Sequence, residues 1–207
     1  MNKILVLGAT GRVGIHIVMK ALEGGNIVRA FVRDSKKIGI QHYNLLVYEG
    51  NVLNESNLKE AMEGMDVVIS SLSTDGSNTL SESIPLITKY MDYFNIKRFI
   101  TIGTAGILQE NSQSQKLRYQ SHRTIRKSTR AAEEHHKVYS YLKLSNLDWT
   151  IVCPTKLVNE AESLEYRVEQ NFLPVNGTCI SFMDTADFAY KQTISKTFIN
   201  TCVGIAY

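Results

Sequence analysis

Short apolar runs alternate with amphipathic stretches along most of the chain. Lys3 to Leu7 reads as a buried strand. Arg12 to Glu23 follows as a helix with Val13, Ile17, Val18, Ala21 and Leu22 on one stripe, and Gly24-Gly25 stops it. Ile27 to Val32 and Leu45 to Tyr48 read as the second and third strands. Asn54 is placed to cap a helix whose stripe is Leu58, Ala61 and Met62. Asp66 to Ser70 predicts a fourth strand, Leu80 to Phe94 a helix, and Arg98 to Ile102 a fifth strand. Thr129 to Leu144 predicts a long helix and Trp149 to Cys153 a sixth strand.

Strands that are apolar almost throughout, alternating with helices, predict an α/β fold: a doubly wound parallel sheet covered on both faces. The 207 residues suit one domain, and the three prolines mark no linker. Residues 107–128 are polar and turn-prone and interrupt the alternation, as an active-site insertion or lid would.

Composition adds little to the pattern except by exclusion. Hydrophobic residues make up 43% and charged residues 21%, which suits a packed globular core and excludes disorder. No apolar run reaches the roughly 20 residues of a spanning helix, and the N-terminal run is too short for a signal peptide. A cytoplasmic protein with no membrane partner is expected. Cys153, Cys179 and Cys202 are odd in number and widely spaced, so free thiols are expected, with neither disulfide nor metal. The net charge of +3 is uneven. Lys116, Arg118, Arg123, Arg126, Lys127 and Arg130 form a local basic segment, and the chain without those six carries −3. That segment reads either as a contact for an anionic acceptor or as a solvated face. No recognition module accompanies it, so no nucleic-acid partner is expected.

The chemistry begins at Gly8-Ala9-Thr10-Gly11-Arg12-Val13-Gly14, between the first strand and first helix. One glycine permits the tight turn, a second lets the backbone approach a pyrophosphate, and a third lets helix pack on strand. The helix N-terminus then offers N–H groups and a positive dipole end to phosphate. At the end of the second strand stands Arg33-Asp34. An arginine there accommodates the 2′-phosphate of NADP, whereas an acid would bind the ribose hydroxyl of NAD. Arg33 comes first and Arg12 adds charge, so NADP is favoured over NAD.

These residues resemble the atypical short-chain dehydrogenase/reductases, nearest the group that holds biliverdin reductase B, bacterial NADH-flavin reductases and NmrA-like proteins. Gly50-Asn51-Val52 is similar to the family's Gly-Asp-Val beside adenine, with Asn in place of Asp. Ser71-Leu72-Ser73, after the fourth strand, would lie along the cofactor. Leu144 to Pro154 resembles the family's helix–turn–strand that leads to a proline at the nicotinamide. Ile180-Ser181 with Asp184 or Asp187 and Ala189 is similar to its late Ile-Ser-x-x-Asp-x-Ala segment. The resemblance implies a Rossmann domain with a small C-terminal substrate region. It also implies that Gly103 and Thr104, after the fifth strand, face the nicotinamide, and that His135 lines the pocket.

Tyr139-Ser140-Tyr141-Leu142-Lys143 fits the Tyr-x-x-x-Lys acid pair of the wider superfamily, but too near the end of its helix to reach the nicotinamide. Thr104 and His135 are left as candidate catalytic residues, a hydroxyl donor and a group with a suitable pKa for proton delivery. Flavin or quinone reduction asks less of a protein acid than ketone reduction, because the acceptor spreads charge over a ring. The expectation is an NADPH-dependent reductase of a small aromatic acceptor, with flavin as substrate rather than prosthetic group, in a monomer or homodimer. The alternative is an NADP-sensing regulator of the NmrA-like type that binds without turnover.

Overall fold

The structure, a computed structural model, describes residues 1–74, 76–114, 116–121 and 128–207. The elements in chain order are β1 (Lys3–Leu7), α1 (Gly14–Glu23), β2 (Ile27–Val32), β3 (Leu45–Glu49), α2 (Glu55–Met62), β4 (Val67–Ser70), α3 (Thr79–Tyr93) and β5 (Arg98–Ile102). They continue with α4 (Arg130–Leu142), β6 (Asp148–Pro154), β7 (Lys156–Val158), β8 (Arg167–Gln170), β9 (Cys179–Ser181), α5 (Phe182–Lys191) and β10 (Thr201–Ala206).

The main sheet runs in the order β3-β2-β1-β4-β5-β6-β10-β8. Its pairs are parallel except β10 with β8. β7 and β9 form a separate parallel pair. The near-continuous apolar strands are explained by two cores, one on each face. Leu5, Leu7 and Phe99 pack against Leu58, Met62, Ile87, Met91 and Leu142 of α2, α3 and α4. Ile4, Val6 and Ile100 pack against Ile17, Val18, Ala186 and Ala189 of α1 and α5. Full burial of each such side chain is worth about 1.5–3 kcal/mol.

The chain winds outward from β1 to β3 and then returns to β4 on the other side of β1. This reversal opens a crevice at the carboxyl ends of β1 and β4, the usual ligand position in such sheets. Ser71 N donates to Leu7 O at 2.8 Å and fixes the two strand ends beside each other.

The polar insertion is not a free lid over its described part. Thr104 caps a short turn at Ala105–Ile107, Gln109 bridges to Leu117, and a second turn spans Arg118–Gln120. Ile107, Leu108 and Leu117 are buried in the core. Tyr119 Oη lies 2.8 Å from His136 Nδ1, tying the insertion to α4. Arg123, Arg126 and Lys127 of the basic segment lie outside the described residues. Among the described residues, no helix is long and apolar enough to cross a membrane. Cys153, Cys179 and Cys202 are free thiols.

Candidate cofactor cleft

The glycine turn sits at the crevice, and each glycine answers a different constraint. Gly8 has φ +74°, and a Cβ there would stand 2.8 Å from Ser71 O. A Cβ on Gly14 would stand 2.2 Å from Gly8 O, so the helix packs on the turn only without one. Gly11 is exposed, and a Cβ there would meet only Gly8 O at 3.2 Å and Ser71 O at 3.8 Å. The space at Gly11 opens outward, where a phosphate would approach. Thr10 and Arg12 are exposed beside it. Val13, the residue before α1, makes no side-chain cap, and the first turn of α1 carries no acid. Such an end suits a pyrophosphate.

The Arg12 guanidinium carbon lies 4.9 Å from the Phe182 ring centroid, so α5 engages it. Other cations stand at the end of β2: Arg33, Lys36 and Lys37 are all exposed there. Asp34 is engaged by its neighbours. Its carboxylate accepts from Lys36 N at 3.1 Å and caps the turn Ser35–Lys37. Lys36 and Lys37 were missed in the sequence, although Asp-Ser-Lys-Lys is a capping pattern followed by two positive charges.

Asn51 is exposed, and its Oδ1 accepts from Leu53 N at 3.0 Å, which shapes the turn after β3. The Val52 side chain is buried in the core. Ser71, Leu72 and Ser73 run on from β4 past Gly8, with Leu72 N 3.1 Å from a Gly8 Cβ. Gly103 N donates to Val152 O at 2.7 Å, and a Cβ there would press on Ile151 at 2.6 Å. Thr104 Oγ1 accepts from Gly106 N at 3.3 Å. Pro154 ends β6 and pairs with Ile205 of β10. The topology therefore brings Gly8, Arg33, Asn51, Ser71, Thr104 and Pro154 to one rim, the carboxyl ends of six adjacent parallel strands.

His135 lies in the second turn of α4, one turn beyond Ala132, which abuts Gly106. Burial lowers its imidazole to a pKa of about 4, against a smaller opposing pull from Glu134. At neutral pH it is an uncharged imidazole. It offers one N–H and one acceptor, but not the proton expected of it in the sequence. Tyr139 packs edge-on against Trp149 with ring centroids 5.9 Å apart, and Lys143 Nζ sits 5.4 Å over its ring. Burial, then Cys202 and Cys153, push its phenol up. A catalytic Tyr-Lys pair needs the opposite shift.

The comparisons with known proteins place the chain in a family. The family model described as NAD(P)H-binding matches residues 8–195. The chain belongs to the NAD(P)H-binding family. Two relatives are an isoflavone reductase homolog of Zea mays, 31% identical over 107 residues, and isoflavone reductase of Pisum sativum, 28% identical over 118. Each match covers 47% of this chain, and 34% and 36% of the relatives, so the chain spans about a third of their length. Among solved structures, a Streptococcus pneumoniae protein named as a candidate NADH-flavin reductase has TM-score 0.87 and 21% identity, covering 100% of this chain and 99% of that one. A Veillonella parvula short-chain dehydrogenase/reductase in complex with NADP has TM-score 0.80 and 22% identity, covering 100% and 94%. At these identities the structural likenesses show the Rossmann fold.

Proposed function

We propose that this chain is an NADPH-dependent oxidoreductase that reduces a flat conjugated acceptor of flavin or quinone type. Bound NADPH supplies the hydride. The glycine turn and the α1 end hold its pyrophosphate, and Arg33 with Lys36 and Lys37 holds the 2′-phosphate. The capping role of Asp34 supports this choice over NAD, because a carboxylate committed to a turn is not presented to a ribose. Gly103, Thr104 and Pro154 form the floor on which the nicotinamide and the acceptor ring stack.

The observation that carries the choice of acceptor is the protonation state of the residues near that floor. His135 is neutral at pH 7, and the Tyr139 phenol is held protonated within the core. A hydroxyl at Thr104 and an uncharged imidazole orient an acceptor by hydrogen bonds but give up no proton readily. An isolated ketone needs such a proton as alkoxide charge develops. A conjugated ring delocalises the charge and takes its proton from solvent. The isoflavone reductase names of the relatives fit a reductase of aromatic compounds.

Steady-state NADPH oxidation with FMN, FAD, riboflavin and small quinones, beside a cofactor titration, tests this reading. Turnover with at least one of them is expected. NADPH binding without oxidation of any acceptor would favour a cofactor sensor instead. Tyr139→Phe separates this chemistry from carbonyl reduction by a Tyr-Lys pair. Its turnover should change by less than about threefold, whereas loss of a general acid costs typically 10²–10⁴-fold. A collapse with NADPH binding intact would restore the Tyr-Lys mechanism.

A further inference from the structure

The two edges of the main sheet are β3 and β8, and they are dressed differently. β8 reads Arg-Val-Glu-Gln. Its Arg167 guanidinium also donates to Val175 O and Tyr207 O, both at 2.6 Å. That edge carries the charge with which sheet proteins blunt edge pairing. β3 reads Leu-Leu-Val-Tyr-Glu, with Leu46 51% and Val47 41% exposed, and Tyr43 just before it 89% exposed.

The backbone of β3 is presented outward in a regular way. Val28 N donates to Asn44 O, and Gly50 N donates to Val32 O. In a parallel ladder alternate residues bond inward, so Asn44, Leu46, Tyr48 and Gly50 serve β2, and Val47, Glu49 and the Leu45 carbonyl are turned outward, while Leu45 N donates to His42 O at 3.0 Å. Tyr48 is held on the α2 side, where its Oη donates to Glu60 at 2.5 Å.

We infer that β3 is a homodimer interface, in which it pairs antiparallel with the β3 of a second copy about a two-fold axis at Val47. The self-complementarity of the strand selects this occupant. The axis at Val47 sets Val47 against Val47, Leu46 against Tyr48, and Leu45 against Glu49. The single charge of the strand then meets a leucine, and no like charges face each other. The same register places the outward donor and acceptor of Val47 opposite those of the second Val47, and the Glu49 N–H opposite the Leu45 carbonyl, with the Leu45 N–H kept on His42 O. Each copy has one such edge, so the contact is isologous and closes at two. The two cofactor clefts open at opposite ends of the joined sheet, because the strands run antiparallel.

Light scattering on the full chain across the micromolar range tests the interface, with Val47→Lys, Val47→Glu and, on the other edge, Val168→Lys. The expected result is a wild-type dimer, unchanged in Val168→Lys. Dimerisation should weaken by about tenfold or more in affinity in each Val47 variant alone, because like charges then meet on the axis. Mixing Val47→Lys with Val47→Glu should restore the dimer, since residue 47 faces its own copy only in this register. Amide exchange on the wild type needs no variant: the Val47 and Glu49 amides should gain protection as concentration rises. A monomeric wild type, a dimer indifferent to Val47, a mixture that stays monomeric, or concentration-independent exchange at Val47 and Glu49 would each overturn the inference.

Discussion

Two neighbouring glycines separate binding from folding at the scale of single residues. Gly11→Val adds a Cβ that meets Gly8 O at 3.2 Å, a contact that a small shift relieves, so the fold should survive while the pyrophosphate is kept off. NADPH affinity should fall below detection in a titration of a protein with a native circular dichroism spectrum. Gly14→Ala presses a methyl to 2.2 Å from the Gly8 carbonyl and should lower the melting temperature itself. Wild-type affinity in folded Gly11→Val would move the cofactor elsewhere. Arg33 sets the second contrast. A charge-assisted contact to phosphate contributes about 1.5–3 kcal/mol, or roughly one to two decades of affinity. Arg33→Ala should therefore weaken NADPH by that amount and NADH little. Equal losses for both, measured by titration, would mean that the arginine does not read the 2′-phosphate. Arg33 was legible because its place after the second strand follows from the period of the strand. The stacking of Arg12 on Phe182 was not, because 170 positions separate them in the sequence.

Elements whose polarity follows burial were legible, and those whose polarity is inverted were not. The six parallel strands through β6 and the four helices before it were placed to within a few residues, since apolar content marks the buried faces of all but β3, an apolar edge strand left largely exposed. β7 and β9 have three residues each, too few for a period, and all of β8 is exposed. In α5 the buried positions include Asp184, Thr185 and Asp187, which erase the apolar stripe. α4 holds an inversion of a different kind, a histidine kept neutral. The folded-state pKa of His135, about 4, lies below the ordinary 6.5, so the unfolded chain binds the extra proton between those values. Stability from this site is full above pH 6.5 and declines as pH falls toward 4, by up to about 3 kcal/mol. Urea unfolding from pH 7 to pH 4 should show a shallower decline in His135→Gln than in wild type. Parallel declines would mean that His135 titrates normally. The same neutrality predicts a turnover that does not fall between pH 6 and 8 through loss of an imidazolium.

The C-terminal third is knit together by one buried carboxylate. Asp184, at the start of α5, accepts from Ser163 N at 3.1 Å, Leu164 N at 2.9 Å, Ser181 Oγ at 3.1 Å and Tyr207 Oη at 2.5 Å. A single side chain thus fixes the loop before β8, the β9–α5 corner and the last residue of the chain. Burial pushes its pKa up, but the hydrogen bonds from Tyr207, Leu164, Ser163 and Ser181 outweigh this and hold it below the ordinary carboxylate value. A depressed carboxylate contributes stability that is present at neutral pH and lost as pH falls through its folded pKa. Asp184→Asn keeps the shape, removes the charge and turns an N–H₂ toward donors. The expected cost is about 2–4 kcal/mol, since bonds to a charged acceptor are the stronger kind and their donors stay buried. Tyr207→Phe removes one donor and leaves the carboxylate the others, so its cost should be smaller, about 1–2 kcal/mol. Thermal melts at pH 7 should rank wild type above Tyr207→Phe above Asp184→Asn. The gap between wild type and Asp184→Asn should close in strong acid, where both carry an uncharged group. An Asp184→Asn protein that melts with wild type at pH 7 would show that the C-terminal third is held by its apolar contacts alone.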